Sequence, residues 1–363
     1  LKKHIIIAGG GTGGHIFPAL AIATALKKKE PDMDILFIGA LGKMEMEKVP
    51  EAGYPIVGID IAGYNRSSLI KNIYLPYKLI RSFFQVKKIF KSFKPRAAIG
   101  VGGYSTYPVL RYAQARGIPT FIHESNSFAG KSNILLGKKA TRIFTASDGM
   151  EKFFPAARIV HTGNPVRKNV IANQISREEG IAFFGLDPGY TTVLVTGGSL
   201  GAQSMNEAID AGIQLLVKSQ IQLIWQTGKS YAARAAVHAV ESKLIWTGEF
   251  ISRMDYAYAA ADIVVSRAGS VLYELCAVRK PVIFIPYPHA SEDHQTVNAE
   301  NLVKKNAAIM IADKDARNKL VLEILRLSKN KPEQELLKEN IGKLAITDAD
   351  EKIAKEILNL LDA

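Results

Sequence analysis

Twice in 363 residues a short run of β-branched residues breaks into a cluster of glycines and resumes as a helix. The first instance runs from residues 4–8 through Gly9-Gly10-Gly11-Thr12-Gly13-Gly14 into a helix expected from about residue 17 to residue 29. The second runs from residues 192–196 through Gly197-Gly198-Ser199-Leu200-Gly201 into a helix over 203–218. Further apolar runs at 34–38, 97–101 and 120–123, and again at 223–226, 263–266 and 282–285, read as strands. Short apolar strands alternating with helices require a parallel sheet covered on both faces. The pattern starts afresh, and one core rarely grows past ~250–300 residues. The chain is therefore expected to be α/β, with two Rossmann-like, doubly wound parallel-sheet domains. Gly163-Asn164-Pro165 interrupts any helix, which sets the domains at 1–164 and 165–347. An amphipathic helix over 348–363, with Ile353, Ile357, Leu358 and Leu361 on one side, is expected to pack back on the first domain.

The first glycine cluster satisfies G-x-G-x-x-G between a strand and a helix. A nicotinamide enzyme also needs an acid at the end of the second strand to hold the ribose. Here that strand ends Phe37-Ile38-Gly39-Ala40, with no acid before Glu45, and the dinucleotide reading is set aside. Glycines still let backbone N–H groups approach an anion at the positive end of a helix. Both loops offer this, so a diphosphate is the expected ligand. His15, at the start of the first helix, either faces that ligand or is a capping or packing histidine. A third site follows residues 263–266, where Arg267-Ala268-Gly269-Ser270 opens a helix carrying Glu274. A carboxylate one turn in can accept from two ribose hydroxyls, or lie plainly on the helix face. Beyond Pro286-Tyr287-Pro288-His289-Ala290, Gln295 and Asn298 carry uncharged amides suited to sugar hydroxyls.

The D-x-D triplets at Asp32/Asp34, Asp313/Asp315 and Asp348/Asp350 fall at the wrong end of a strand or in Lys-containing polar stretches, and read as solvated turns. No metal and no cofactor is expected, the leaving diphosphate being stabilised by helix dipoles and backbone donors. Cys276 is the single cysteine; it excludes an intrachain disulfide and reads as a small core residue.

The net charge of +13 lies wholly in the first half: residues 1–165 carry 24 Lys+Arg against 10 Asp+Glu, the remainder 23 against 24. Such asymmetry predicts an anionic surface as partner, either nucleic acid or acidic lipid. Residues 69–96 combine Leu69, Ile70, Ile73, Leu75, Leu79, Ile80, Phe83 and Phe84 with Lys78, Arg81 and Lys87. An apolar strip flanked by cations suits an anionic leaflet; the plain alternative is a helix packed on its own sheet with a solvated basic face. No nucleic-acid-binding signature is present, so membrane contact is expected and nucleic acid is not. The N-terminal apolar run stops at the glycines too soon for a signal peptide. No run approaches the ~20 residues that span a bilayer.

Seven motifs, in order along nearly the whole chain, resemble those of the MurG family of bacterial peptidoglycan glycosyltransferases, which add N-acetylglucosamine to lipid I. They are Gly10-Gly11-Thr12-Gly13-Gly14-His15 with Pro18-Ala19, Gly102-Gly103-Tyr104, His123-Glu124-Ser125-Asn126, Gly163-Asn164-Pro165-Val166-Arg167, Gly197-Gly198-Ser199-Leu200-Gly201-Ala202-Gln203, Arg267-Ala268-Gly269, and Asp293-His294-Gln295-Thr296 with Asn298. The resemblance implies a GT-B fold whose two domains face a central cleft. It further implies inverting transfer from UDP-N-acetylglucosamine to the C4 hydroxyl of the muramic sugar of lipid I, at the cytoplasmic face of the plasma membrane. By motif position, Ile251 would read uracil with Met254 nearby, Glu274 would hold the ribose, and Ser199 with Gly269 and Ser270 would hold the phosphates. Gln295, Asn298, Asn126 and Arg167 would complete the donor site, Thr12, Gly13 and Gly14 would close over it, and His15 would be the general base. Gly103, Tyr104, His123 and Glu124 are assigned to the acceptor. Ser125 replaces the usual Gln, and one residue fewer separates Gly269 from Glu274. One residue turns a helix by ~100°, so the loop must absorb the difference.

Overall fold

The computed structural model describes residues 3–63, 73–172, 174–290 and 293–362. Isoleucines 5, 6 and 7 lie in β1 (His4–Ala8), and the two-residue period of a strand sends them to opposite faces. Ile5 and Ile7 join the cluster beneath helices Gly13–Lys29 and Ala349–Asp362; Ile6 joins the cluster beneath helices Leu75–Phe93 and Thr106–Ala115. All three are fully buried, each isoleucine contributing about 1.5–3 kcal/mol. Around β1 lie β2 (Asp34–Ala40), β3 (Ile56–Ile59), β4 (Ala97–Gly100), β5 (Thr120–Glu124), β6 (Arg142–Thr145) and β7 (Ile159–His161), in the all-parallel order β3-β2-β1-β4-β5-β6-β7.

The second sheet is built from β8 (Thr191–Thr196), β9 (Ile221–Gln226), β10 (Ile245–Gly248), β11 (Ile263–Ser266), β12 (Val282–Phe284) and β13 (Ile309–Met310). Its order is β10-β9-β8-β11-β12-β13, again parallel. The chain divides into Leu1–Val166 with Thr347–Ala363, and Arg167–Ile346. In each sheet the direction of winding reverses beside the first strand, β1/β4 in one and β8/β11 in the other. Such switch points open a crevice at the carboxyl ends of the strands, where ligands bind in open α/β sheets. The glycine clusters and Arg267–Ser270 all follow these strands.

The two parallel sheets expected from the sequence are present. Five short strands, β3, β6, β7, β10 and β13, are additional to those read from the sequence. The first helix begins at Gly13, four residues earlier than expected, with Thr12 O accepting from both His15 N and Ile16 N. Pro18 lies inside this helix, where its ring nitrogen cannot donate the i→i−4 bond to Gly14 O.

Helix Leu75–Phe93 corrects the membrane-strip assignment in part. Ser82, Val86, Ile89 and Phe90 face the sheet, and Leu75, Leu79 and Phe83 are half-buried beside them. The exposed apolar stripe is Ile73, Tyr77, Ile80 and Phe84, at intervals of four, three and four, with Phe84 68 % exposed. Lys78 and Arg81 both pair with Asp60, at 3.2 and 2.7 Å, so their charges are partly neutralised, while Lys87 is exposed. Leu69 and Ile70 lie outside the described residues. Among the described residues no helix is long and apolar enough to cross a membrane.

Candidate functional site

In the first unit the loops after β1 and β4 are stitched together by backbone. Gly10 N donates to Gly102 O at 3.2 Å, and the Thr106 hydroxyl donates to Ala8 O and Gly102 O at 3.0 and 2.9 Å. Gly103 has φ +88°, and a β-carbon there would overlap the Gly10 carbonyl. Gly13 and Gly14 form the first residues of the helix, and the Thr12 side chain makes no capping bond. His15 Nδ1 lies 3.1 Å from Gly10 O. A carbonyl can only accept, so Nδ1 carries the proton and Nε2 is the basic nitrogen. The ring is seated against Gly102, where a β-carbon would come within 2.6 Å of Cδ2. Tyr104 is exposed, with its ring packed over Gly63.

Two residues assigned to the acceptor have buried side chains. His123 is only 1 % exposed; burial pushes its imidazole down to about 4, with the Gly163 backbone opposing and His15 adding to the shift. It is a neutral core group at pH 7. Glu124 is also buried, and its carboxylate accepts from Asn126 N and Nδ2, Gly130 N and Asn133 Nδ2 at 2.8–3.1 Å. Those four donors match the capacity of a carboxylate. Glu124 therefore pins the 124–133 loop, and Asn126 is one of the groups it holds.

In the second unit the loops after β8 and β10 meet a buried amide. Gln226, at the end of β9, donates from Nε2 to Gly198 O at 2.9 Å and accepts from Ile251 N at 2.8 Å. It ties the loop carrying Ser199 to the Ile251 segment. The Ile251 N–H is thus engaged within the chain. Met254 is buried at the start of helix Met254–Ala260.

Gly269 and Ser270 precede helix Val271–Val278, and Ser270 is its N-cap. Glu274, assigned to ribose, is half of an ion pair. Arg167 Nε and Nη2 reach Glu274 Oε1 and Oε2, both at 2.8 Å, and the Tyr258 hydroxyl donates to Oε2 at 2.9 Å. Burial disfavours the Arg167 charge, but Glu274 outweighs it and holds the guanidinium above its ordinary range. Burial first, and then the Glu274 charge, push the Tyr258 phenol well up, keeping it a donor.

Asn298 is 2 % exposed and donates to Ala268 O at 2.9 Å, supporting the Arg267–Ser270 loop from behind. Gln295 Oε1 accepts from Tyr287 N at 2.9 Å. Asp313, read as a solvated turn, instead pairs with Arg267, which also holds the carbonyls of Ile285 and Pro286. Asp350 is likewise buried.

The sequence reading missed Glu45, Gln226 and Tyr258. Glu45 was visible as the first acid after β2; the other two carry no local signal, because their partners are distant in sequence.

Residues 5–145 match the glycosyltransferase family 28 N-terminal domain, and residues 192–357 its C-terminal domain. The chain is 50 % identical over 362 residues to a protein of Phocaeicola vulgatus named UDP-N-acetylglucosamine–N-acetylmuramyl-(pentapeptide) pyrophosphoryl-undecaprenol N-acetylglucosamine transferase, covering 99 % of this chain and 96 % of that one. It is 48 % identical to the Parabacteroides distasonis protein of the same name, over 99 % of each. Among solved structures it is similar to Acinetobacter baumannii MurG, with a TM-score of 0.74 at 26 % identity over 98 % of this chain and 99 % of that one.

Proposed function

The chain belongs to the family of UDP-N-acetylglucosamine–N-acetylmuramyl-(pentapeptide) pyrophosphoryl-undecaprenol N-acetylglucosamine transferases, and from that premise we propose how its residues carry out the transfer. It is a hexosyltransferase of GT-B fold that moves N-acetylglucosamine from UDP-N-acetylglucosamine to lipid I. The acceptor is the C4 hydroxyl of the muramic sugar. Its oxygen forms a bond to C1 of the donor sugar, the bond from C1 to the UDP oxygen breaks, and the configuration at C1 inverts. The hydroxyl proton passes to Nε2 of His15.

The observation that carries this reading is the bond from His15 Nδ1 to Gly10 O, which leaves Nε2 as the basic nitrogen of the ring. An ordinary imidazole titrates near ~6.5, close to the working pH, where a general base is most effective. His15→Ala is expected to lower kcat by ~10²–10⁴ with both substrates saturating. Radiolabel transfer from UDP-N-acetylglucosamine to a lipid I analogue measures it. Near-normal turnover would assign the base to another group.

On the donor side, Ser199, Gly269 and Ser270 supply loop and helix-start donors for the diphosphate, Arg167 and Glu274 the polar edge for the ribose, and Gln295 an amide for the sugar. Binding at the cytoplasmic face of the membrane rests on Ile73, Tyr77, Ile80 and Phe84, with Lys87, Lys88 and Lys91 beside them. Each large apolar side chain inserted is worth about 1.5–3 kcal/mol. Ile80→Ser with Phe84→Ser is therefore expected to weaken binding to anionic vesicles by about 100-fold or more. Turnover of a water-soluble acceptor should stay unchanged. Undiminished vesicle binding would place the membrane contact on another face.

A further inference from the structure

Glu45 opens helix Glu45–Glu51 and is 1 % exposed, and among the described residues no basic side chain pairs with it. Its carboxylate accepts from Gly11 N at 2.8 Å and from Ala40 N at 3.0 Å. Gly10 is stacked directly on it, so that any β-carbon at Gly10 would overlap the carboxyl. A carboxylate buried in the glycine loop occupies a donor that the anion-binding reading leaves to substrate. The Gly11 N–H of the loop is thus committed to Glu45.

Gly11 N–H and Gly10 C=O belong to the same peptide group. One end of that peptide donates to Glu45 Oε2 and the other accepts from His15 Nδ1, at 2.8 and 3.1 Å. The geometry points to a carboxylate–peptide–imidazole relay in which Glu45 is the positioning residue for the His15 base. This inference rests on His15 being that base. The carboxylate polarises the peptide through its N–H, and the carbonyl oxygen becomes a stronger acceptor, as hydrogen bonds in chains reinforce one another. The carbonyl then holds the imidazole in the Nδ1–H tautomer and stabilises the imidazolium formed when Nε2 takes the acceptor proton. An aspartate does this directly in the serine-protease triad; here a peptide group stands between. No proton leaves Nδ1, and Glu45 touches no substrate.

Other groups bear on the same ring. His123 on β5 is itself pushed down by His15 and is neutral near pH 7. The loop after β4 contributes Gly102 backbone and Tyr104, whose ring lies over Gly63. The first turn of the helix that carries His15 holds no acid. Glu45 is thus the acid hydrogen-bonded to the peptide that His15 contacts.

The test is Glu45→Gln, which removes the charge and keeps one of the two oxygen acceptors, so that either Gly11 N or Ala40 N loses its bond. The expected kcat falls about 10-fold to 100-fold, part of the ~10²–10⁴ that a positioned base supplies. KM for UDP-N-acetylglucosamine stays unchanged. Activity rises with pH as the base deprotonates, and loss of the carboxylate makes the imidazolium less stable. The acid limb of the kcat profile therefore moves down by about one unit, the size of shift a lost neighbouring charge produces. In a His15→Ala background, Glu45→Gln should add no further loss.

An unmoved limb, or the same loss of kcat with and without His15, makes Glu45 a loop support only and overturns the relay while leaving the base intact. Near-normal turnover of His15→Ala itself overturns the base assignment first. Nitrogen-15 NMR of the imidazole in the unmodified enzyme is independent of whether the variant folds. The neutral ring must carry its proton on Nδ1, and a proton on Nε2 overturns the proposal.

Discussion

Replacing Glu274 by alanine is expected to destabilise the second unit by about 3–5 kcal/mol, because it removes the bidentate carboxylate partner of the buried Arg167 guanidinium. The side chains are 17 % and 12 % exposed, so water cannot take over the pairing as it does at a surface. Two parallel N–H···O bonds at 2.8 Å and the Tyr258 hydroxyl at 2.9 Å are lost together. Denaturant unfolding monitored for the second unit measures the change. The same substitution also bears on the nucleotide, and the two roles can be separated. Arg167→Met with Glu274→Leu replaces the pair by apolar groups of similar size, which is often close to neutral for stability. Stability should largely return in this double variant and UDP binding should not. Recovery of UDP binding along with stability would mean that the pair is a structural brace with no part in holding the ribose.

Gly103→Ala is the second substitution with a large expected effect. The residue has φ +88°, which costs an L-residue about 1–2 kcal/mol. The added β-carbon also meets the Gly10 carbonyl and lies 2.9 Å from Gly10 N. Both are backbone atoms, so no rotamer change relieves the overlap and the loops after β1 and β4 must separate. Gly10 O is the acceptor of His15 Nδ1, and the displacement reaches the base directly. The total loss is expected at about 3 kcal/mol or more, with turnover falling by at least an order of magnitude. A variant that melted like the parent with unchanged kcat would show that the two loops need no such close approach. Gly11 makes a useful comparison: its φ is +86°, yet nothing lies within 4 Å of a β-carbon there, so only the conformational cost should be felt.

Much of the site was legible because its residues are glycines, and a glycine in a strand-to-helix turn has few uses. Gly10, Gly102 and Gly103 could be picked out without a structure, though not that they lie on one another. Polar residues were harder. Glu124 and Asn298 stood in the motifs, and their buried side chains hold neighbouring loops, while His123 is simply buried. Motif position indicates that a residue matters near a site. Whether it touches ligand or holds the residue that does depends on a side-chain direction that one or two residues of strand or helix can reverse. The membrane strip shows the same limit. The register of helix Leu75–Phe93 on its sheet decided that Phe84 is exposed and Phe83 half-buried, a rotation of one residue.

Local sequence therefore determined what depends on neighbours in the chain: strands from apolar runs, parallel order from their alternation with helices, loops at the carboxyl ends of β1 and β8 from glycine clusters, and the basic first half. The tertiary structure alone decided the pairings across long separations. Glu45 with the Gly10–Gly11 peptide, Gln226 with Ile251, and Arg167 with Glu274, 107 residues apart, are of this kind. The reason is physical. Backbone conformation responds to interactions within a few residues, whereas a buried polar group must be satisfied by whatever partner the packed fold brings within about 3 Å of it.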